Sequence, residues 1–213
     1  MITITDPDKE AATPLDLRHT AFLLGATQPG QFPADDGWEV AIAGRSNAGK
    51  SSAINLITGV RGLARVSKTP GRTREINFFQ VDSRRRLVDL PGYGYARVPL
   101  PMRRKWQGLI EDYFARRRSL RGVIVVMDCR HPLTDFDRQM LQWCAHAKLP
   151  VHLLLTKADK LSRGAAAAVL HKVRARLEHE SQSDGNISAQ LFSALKRTGM
   201  EEAQNLLAKW MEI

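Results

Sequence analysis

Cysteine is nearly absent from this chain: there are two, Cys129 and Cys144, in 213 residues. Their spacing fits no metal motif, so a disulfide framework and a thiolate metal cluster are both excluded, and reduced, packed thiols are expected. The six histidines (His19, His131, His146, His152, His171, His179) are scattered and form no ligand set. Long apolar runs are missing, so no segment is expected to cross a bilayer. The first ten residues, Met1 to Glu10, lack the basic start and apolar core of a signal peptide. A cytoplasmic protein without a membrane partner is the expectation. Acidic residues are also in deficit, 22 Asp and Glu against 32 Lys and Arg, which leaves a net charge of +10. An excess of that size favours a polyanionic partner.

What is present suits a globular domain. The chain is 43% hydrophobic and 25% charged, and long enough to bury a sizeable core as one domain. The cations are grouped as Arg84-Arg85-Arg86, Arg103-Arg104-Lys105 and Arg116-Arg117-Arg118, with Arg121 close by. Most charge runs are solvated faces. Here the excess is chain-wide, so an RNA-facing surface is expected, with the basic helix from Met102 to Arg118 as the docking face and Arg84 to Arg86 as the alternative.

Residues 1 to 36 are punctuated by proline and glycine and read as an extended arm with one short helix near Leu15 to Leu24. From residue 37 onward strands and helices alternate. Val40 to Ala43, Ile76 to Val81 and Arg86 to Leu90 are strand-like, with a hairpin turn at Ser83-Arg84. Gly122 to Asp128 and Val151 to Thr156 are nearly continuous apolar runs, the pattern of parallel strands covered on both faces. Ile187 to Phe192 is a weaker last strand. Trp106, Leu109, Ile110, Tyr113 and Phe114 share a helical face. So do Phe136, Met140, Trp143 and Cys144, behind a Thr134/Asp137 cap pair. Val169, Val173 and Leu177 mark a third helix. Ala203, Leu206, Leu207, Trp210 and Met211 mark the last, with Thr198 and Glu201 as the expected cap. Alternating units predict an α/β fold: a three-layer α/β/α sandwich around a mostly parallel sheet with one antiparallel edge strand.

Ligands of such sheets bind beyond the carboxyl ends of the strands. One strand end carries Gly44-Arg45-Ser46-Asn47-Ala48-Gly49-Lys50-Ser51, which matches G-x-x-x-x-G-K-[ST] between a strand and a helix. In this P-loop the glycines let amide hydrogens point at one phosphate, and the following helix adds its positive end. Lys50 reaches the β- and γ-phosphates, and the Ser51 hydroxyl binds magnesium.

Four further strand ends or loops supply partners. Asp89-Leu90-Pro91-Gly92 offers a carboxylate for magnesium and a side-chain-free amide for the γ-phosphate. Thr156-Lys157-Ala158-Asp159 offers a carboxylate that can accept two hydrogen bonds from guanine, for which adenine has no matching donors. The Lys157 stem can lie along the base face. Ser193-Ala194 can back the base with amides. Between the P-loop helix and Asp89 lies Thr69-Pro70-Gly71-Arg72-Thr73-Arg74. A threonine hydroxyl there completes a magnesium shell only when a γ-phosphate is present, as in GTPase switches.

Together these segments resemble the TRAFAC GTPases and, more closely, the EngB (YihA/YsxC) family of bacterial ribosome-assembly GTPases. The Tyr93-Gly94-Tyr95-Ala96 run after the acidic motif is particularly family-like. The resemblance implies a Ras-like P-loop NTPase domain over 37–213, which binds GTP or GDP with Mg2+ and hydrolyses GTP. It implies that Gly44 to Ser51 cradle the phosphates. It implies that Gly71, Arg72, Thr73, Arg74 and Glu75 form the first switch, with Thr73 on magnesium beside Ser51 and Asp89, and acting in catalysis with Lys50. It implies that Asp89, Leu90, Pro91 and Gly92 contact the γ-phosphate region, and that Thr156 to Asp159 with Phe192, Ser193 and Ala194 read guanine. It also implies a monomer acting in large ribosomal subunit assembly, bound to ribosomal RNA or protein, and needed for normal cell division and septation. The alternative is a GTP/GDP-dependent regulator of a septation protein without RNA contact.

The chain departs from the Ras-like scheme at two positions. Tyr93 stands where Ras-like enzymes carry the water-orienting Gln. A phenol cannot orient water that way, so the ring is expected to point away and intrinsic hydrolysis to be slow. Thr156 stands where many GTPases carry Asn, which is expected to remove a tie between the base loop and the P-loop. Asn47 resembles the P-loop asparagine of potassium-activated GTPases, where K+ would stand near the phosphates. A merely loop-shaping role for Asn47 is the alternative.

Overall fold

The computed structural model describes residues 15–65, 75–94, 100–180 and 187–212. The strands are β1 (Ala21–Ala26), β2 (Trp38–Gly44), β3 (Ile76–Gln80), β4 (Arg85–Asp89), β5 (Leu120–Asp128), β6 (Val151–Thr156) and β7 (Ile187–Leu191). The helices are α1 (Lys50–Thr58), α2 (Leu100–Arg116), α3 (Asp135–His146), α4 (Arg163–Glu180) and α5 (Met200–Trp210). All seven strands form one sheet in the order β1-β3-β4-β2-β5-β6-β7. β4, β2, β5, β6 and β7 run parallel, and β3 runs against both of its neighbours.

The apolar runs explain the layering. On β5, Val123, Val125 and Met127 face one core, with Ile110 and Tyr113 of α2, Met140 and Cys144 of α3, and Val173 and Leu177 of α4. Ile124 and Val126 face a second core, with Ile54 and Ile57 of α1 and Ala203 and Leu207 of α5. A strand covered on both faces has no polar side to show, so alternation gives way to a continuous run. Each such Val or Ile contributes about 1.5–3 kcal/mol by leaving water. Burial also pushes the Cys144 thiol up to about 12, as befits a packed, unreactive cysteine.

The segment before residue 37 differs from expectation. Among its described residues the helical pieces are two 3-10 turns, Leu17–His19 and Pro29–Gln31, and Ala21–Ala26 is a strand paired antiparallel with β3. Leu and Ala favour helix locally, but pairing with a strand some 55 residues away prevails here. The last helix also starts otherwise: Gly199, in a left-handed conformation, is its N-cap, and no side chain caps it. Thr198 instead bridges to Ser193. The Thr134/Asp137 capping box of α3 forms as expected.

Candidate functional site

The carboxyl ends of β2, β4, β5, β6 and β7 converge on one edge. From β2 the chain turns through Arg45 to Gly49 into α1, with Asn47 at φ 65 and Gly49 at φ 98. Those positive φ angles curl the loop into a nest of inward amides. Gly49 is the N-cap of α1 and brings no side-chain cap, so the first amides of that helix keep their donors for an anion. Ser46 N–H donates to the Tyr93 carbonyl at 3.0 Å, which fastens the loop to the segment after β4. Gly92 lies so close that a Cβ there would stand 3.1 Å from Ser46 Oγ.

The Lys50 ammonium touches the Asp89 carboxylate, and both side chains are almost buried. The Ser51 hydroxyl donates to the Arg65 carbonyl at 3.2 Å, which leaves its lone pairs unused. One carboxylate and one hydroxyl beside a phosphate nest are an oxygen donor set suited to Mg2+, which keeps waters and phosphate oxygens for the rest of its shell. No cluster of three or more acidic, His or Cys side chains exists among the described residues, so an all-protein metal cage has no candidate there.

The base loop is fixed to this nest from below. The Thr156 hydroxyl donates to the Ala48 carbonyl and lies 3.0 Å from the Met127 carbonyl. Lys157 Nζ donates to the Asn47 carbonyl at 2.7 Å and pairs with Asp128 at 3.0 Å. The tie expected to be lost with an Asn side chain is therefore made by a threonine hydroxyl, which is short but long enough because β6 ends directly under the P-loop. Ser193 Oγ donates to Asp159 Oδ1 at 2.6 Å, and this bond holds the Asp159 carboxyl below the usual carboxylate range. The carboxylate is thus charged and fixed, with its second oxygen 3.9 Å from Lys160.

A profile of the 50S ribosome-binding GTPase family matches residues 39–157. The probable GTP-binding protein EngB of Methylococcus capsulatus is 56% identical over 181 residues, 85% of each chain. This chain belongs to the EngB family of GTP-binding proteins. The crystal structure of a probable EngB superposes with a TM-score of 0.64 at 21% identity, over 81% of this chain and 98% of that one. A bacterial selenocysteine-specific elongation factor superposes with a TM-score of 0.57 at 22% identity, over 83% and 29%. At such identities the two structures establish the fold alone.

Within this EngB-family chain the expected residues fall into three groups. Ser46 to Ser51, Asp89, Gly92 and Thr156 to Asp159 meet at one edge, with Ser193 and Ala194 beside Asp159. Arg45, Leu90 and Phe192 contribute only backbone there. The Arg45 guanidinium turns away to the His131 carbonyl at 3.1 Å, Leu90 and Phe192 are fully buried core side chains, and Pro91 is also buried. The Phe192 carbonyl accepts from Ala158 N–H at 3.2 Å, so it supports the base loop rather than touching a base. Gly71 to Arg74 lie outside the described residues, and Glu75 is exposed at the start of β3.

Tyr93 points away from the nest, as its chemistry suggested. Its ring is buried and its hydroxyl donates to Asp137 Oδ1 of α3 at 3.0 Å. Burial first, then the neighbouring Asp137 charge, push this phenol well above its ordinary value, so it stays neutral. Sequence reasoning missed Asp128. Burial works against its charge, but hydrogen bonds from Arg130 and Lys157 prevail and hold the carboxyl well below the usual range. Its signal was present: it ends an apolar strand, as Asp89 does.

The arginine runs are less exposed than expected. Glu39, fully buried, accepts from Arg117 Nη2 at 2.6 Å, Arg117 Nε at 2.9 Å and the Tyr113 hydroxyl at 3.0 Å. Arg86 reaches Asp36 at 2.6 Å and Glu39 at 3.3 Å. Arg85 is buried against Asp82. Arg85, Arg86 and Arg117 are thus structural cations, so neither Arg84 to Arg86 nor the Arg116 to Arg118 end of the basic helix is exposed along its whole length.

Proposed function

We propose that this EngB-family chain is a GTP-hydrolysing switch that acts on the large ribosomal subunit during its assembly and thereby supports cell division and septation. The observation that carries the nucleotide half is the double tie from the base loop to the P-loop, Thr156 to Ala48 and Lys157 to Asn47. It makes base recognition and phosphate binding one rigid unit. GTP enters with its phosphates on the amides of Asn47 and Gly49 to Ser51 and its guanine edge on Asp159. Lys50 exchanges Asp89 for the β- and γ-phosphates. Asp89 and Ser51 would hold Mg2+, with Thr73 as a further ligand in the GTP state. Mg2+ supplies charge neutralisation on the transferring phosphoryl oxygens. The side chain that follows Gly92 does not orient water, since Tyr93 is committed to Asp137. Hydrolysis is therefore slow until the ribosomal partner completes the site, and K+ beside Asn47 is one route to assistance. The chain works in the cytoplasm as a monomer.

The test is co-sedimentation with purified large ribosomal subunits, comparing GDP with a non-hydrolysable GTP analogue. Retention with the analogue and release with GDP is expected. Absence of co-sedimentation in both states would sink the ribosomal part.

A further inference from the structure

Among the exposed cations that remain once the structural arginines are set aside, one group gathers around a tryptophan. Arg84, at the β3–β4 turn, and Arg121, near the start of β5, both project over one indole ring. Their guanidinium carbons stand 5.6 Å and 5.9 Å from the centroid of Trp38, the first residue of β2. Neither guanidinium has a carboxylate partner among the described residues. The acids nearby are taken: Asp82 by Arg85, Asp36 and Glu39 by Arg86 and Arg117, and Asp35 by the backbone amides of Arg118 and Ser119. Arg118 is exposed beside them. Trp38 is half-buried, with its inner side on the core of α1 and α5. Trp210, also half-buried on that core, covers Gly122, the register partner of Val40 two residues along β2. Exposed Lys209 precedes it.

The location separates this group from the nucleotide. Trp38 and Gly44 are the two ends of β2, roughly 20 Å apart at about 3.3 Å per residue. The cluster lies at the amino ends of the parallel strands, whereas the P-loop leaves their carboxyl ends.

We propose that this end of the sheet is an RNA-docking face, on which unpaired bases stack on the Arg84 and Arg121 guanidinium planes that Trp38 holds in place. The proposal rests on the ribosomal reading and names its surface. Unpaired RNA bases stack on guanidinium planes as they do on aromatic rings, and the same two arginines neutralise phosphates. Arg118 and Lys209 extend the positive surface along the backbone path. The cation–π contact of each guanidinium with Trp38 reduces the rotamer freedom that RNA binding would otherwise have to freeze. A polyanion docked here leaves the GTP site open for exchange.

The test uses two variants that leave the core and the nucleotide site intact, R84K/R121K and R84Q/R121Q. Each is measured against a fluorescein-labelled 12-nucleotide single-stranded RNA across a salt series, and against large subunits by co-sedimentation. GDP affinity and melting temperature serve as folding controls. Lysine keeps charge and loses the plane, so R84K/R121K should bind the oligonucleotide roughly ten-fold more weakly with an unchanged salt slope. R84Q/R121Q should also lower the log–log salt slope by about 1.4, roughly 0.7 per phosphate contact on single strands. Oligonucleotide affinity unchanged in both variants would overturn the proposal. If wild-type and variant chains co-sediment with subunits equally, the docking face lies elsewhere while the ribosomal reading stands. If the wild-type chain does not co-sediment at all, that reading fails, and the oligonucleotide series alone decides whether the face binds RNA.

Discussion

Tyr93 and Asp137 are joined by a 3.0 Å hydrogen bond across the gap between the end of β4 and the first turn of α3. Asp137 is fully buried and also accepts from the Thr134 amide and hydroxyl at 2.9 Å and 2.8 Å. The side chain that follows Gly92 is therefore an anchor for α3. Y93F removes one partner from a buried carboxylate and should cost about 1–3 kcal/mol of stability. Single-turnover GTP hydrolysis should stay within about two-fold of wild type. A large loss of hydrolysis with unchanged melting would show that the phenol faces substrate.

Thr156 gives a second test. T156V keeps shape and removes the hydroxyl that reaches Ala48 and Met127. GDP affinity by calorimetry should fall about ten-fold, the effect of one or two hydrogen bonds that position the base loop. T156N should recover most of it, because its amide can also donate to the P-loop. Equal affinity for all three would mean that the tie does not position the loop.

Glu39 anchors the opposite end of the sheet. E39A would leave Arg86 and Arg117 without their shared buried carboxylate, a change that costs about 3–5 kcal/mol. Urea denaturation should show that loss, with GDP affinity of the remaining folded protein intact. A neutral outcome would place Glu39 outside the structural network.

The pH response of the site follows from Ser193 and Asp159. The hydroxyl of Ser193 lowers the carboxyl pKa of Asp159 in the folded chain. A depressed folded value means that charge, and with it the proposed guanine contact, persists above the unfolded value of about 4 and is lost only as pH falls through the folded one. GDP affinity should be flat between pH 8 and 5. S193A should raise that pKa and bring the acid decline to higher pH. An identical profile in S193A would remove Ser193 from this role.

That Gly44 to Ser51, Asp89 to Gly92 and Thr156 to Asp159 would meet was legible because each is a contiguous motif at the end of an apolar run, and strand ends converge in an open α/β sheet. Local reading failed where a distant partner decides. Nothing within Ala21 to Ala26 shows that β3 will pair with it. Arg86 and Arg117 read as surface charge because Glu39, which buries both, lies 47 and 78 positions away. Thr156 looked like the loss of an amide because its distance to Ala48, 108 residues earlier, is set by the sheet.

The identity of the base decides the central claim. On the proposed reading Asp159 accepts from guanine, so D159N should reverse the hydrogen-bonding sense of the site. GDP affinity by titration calorimetry should fall about 100-fold or more, while xanthosine diphosphate should bind more tightly than it does to the wild-type chain. Full GDP affinity retained in D159N would contradict the assignment of this edge as a guanine-reading site.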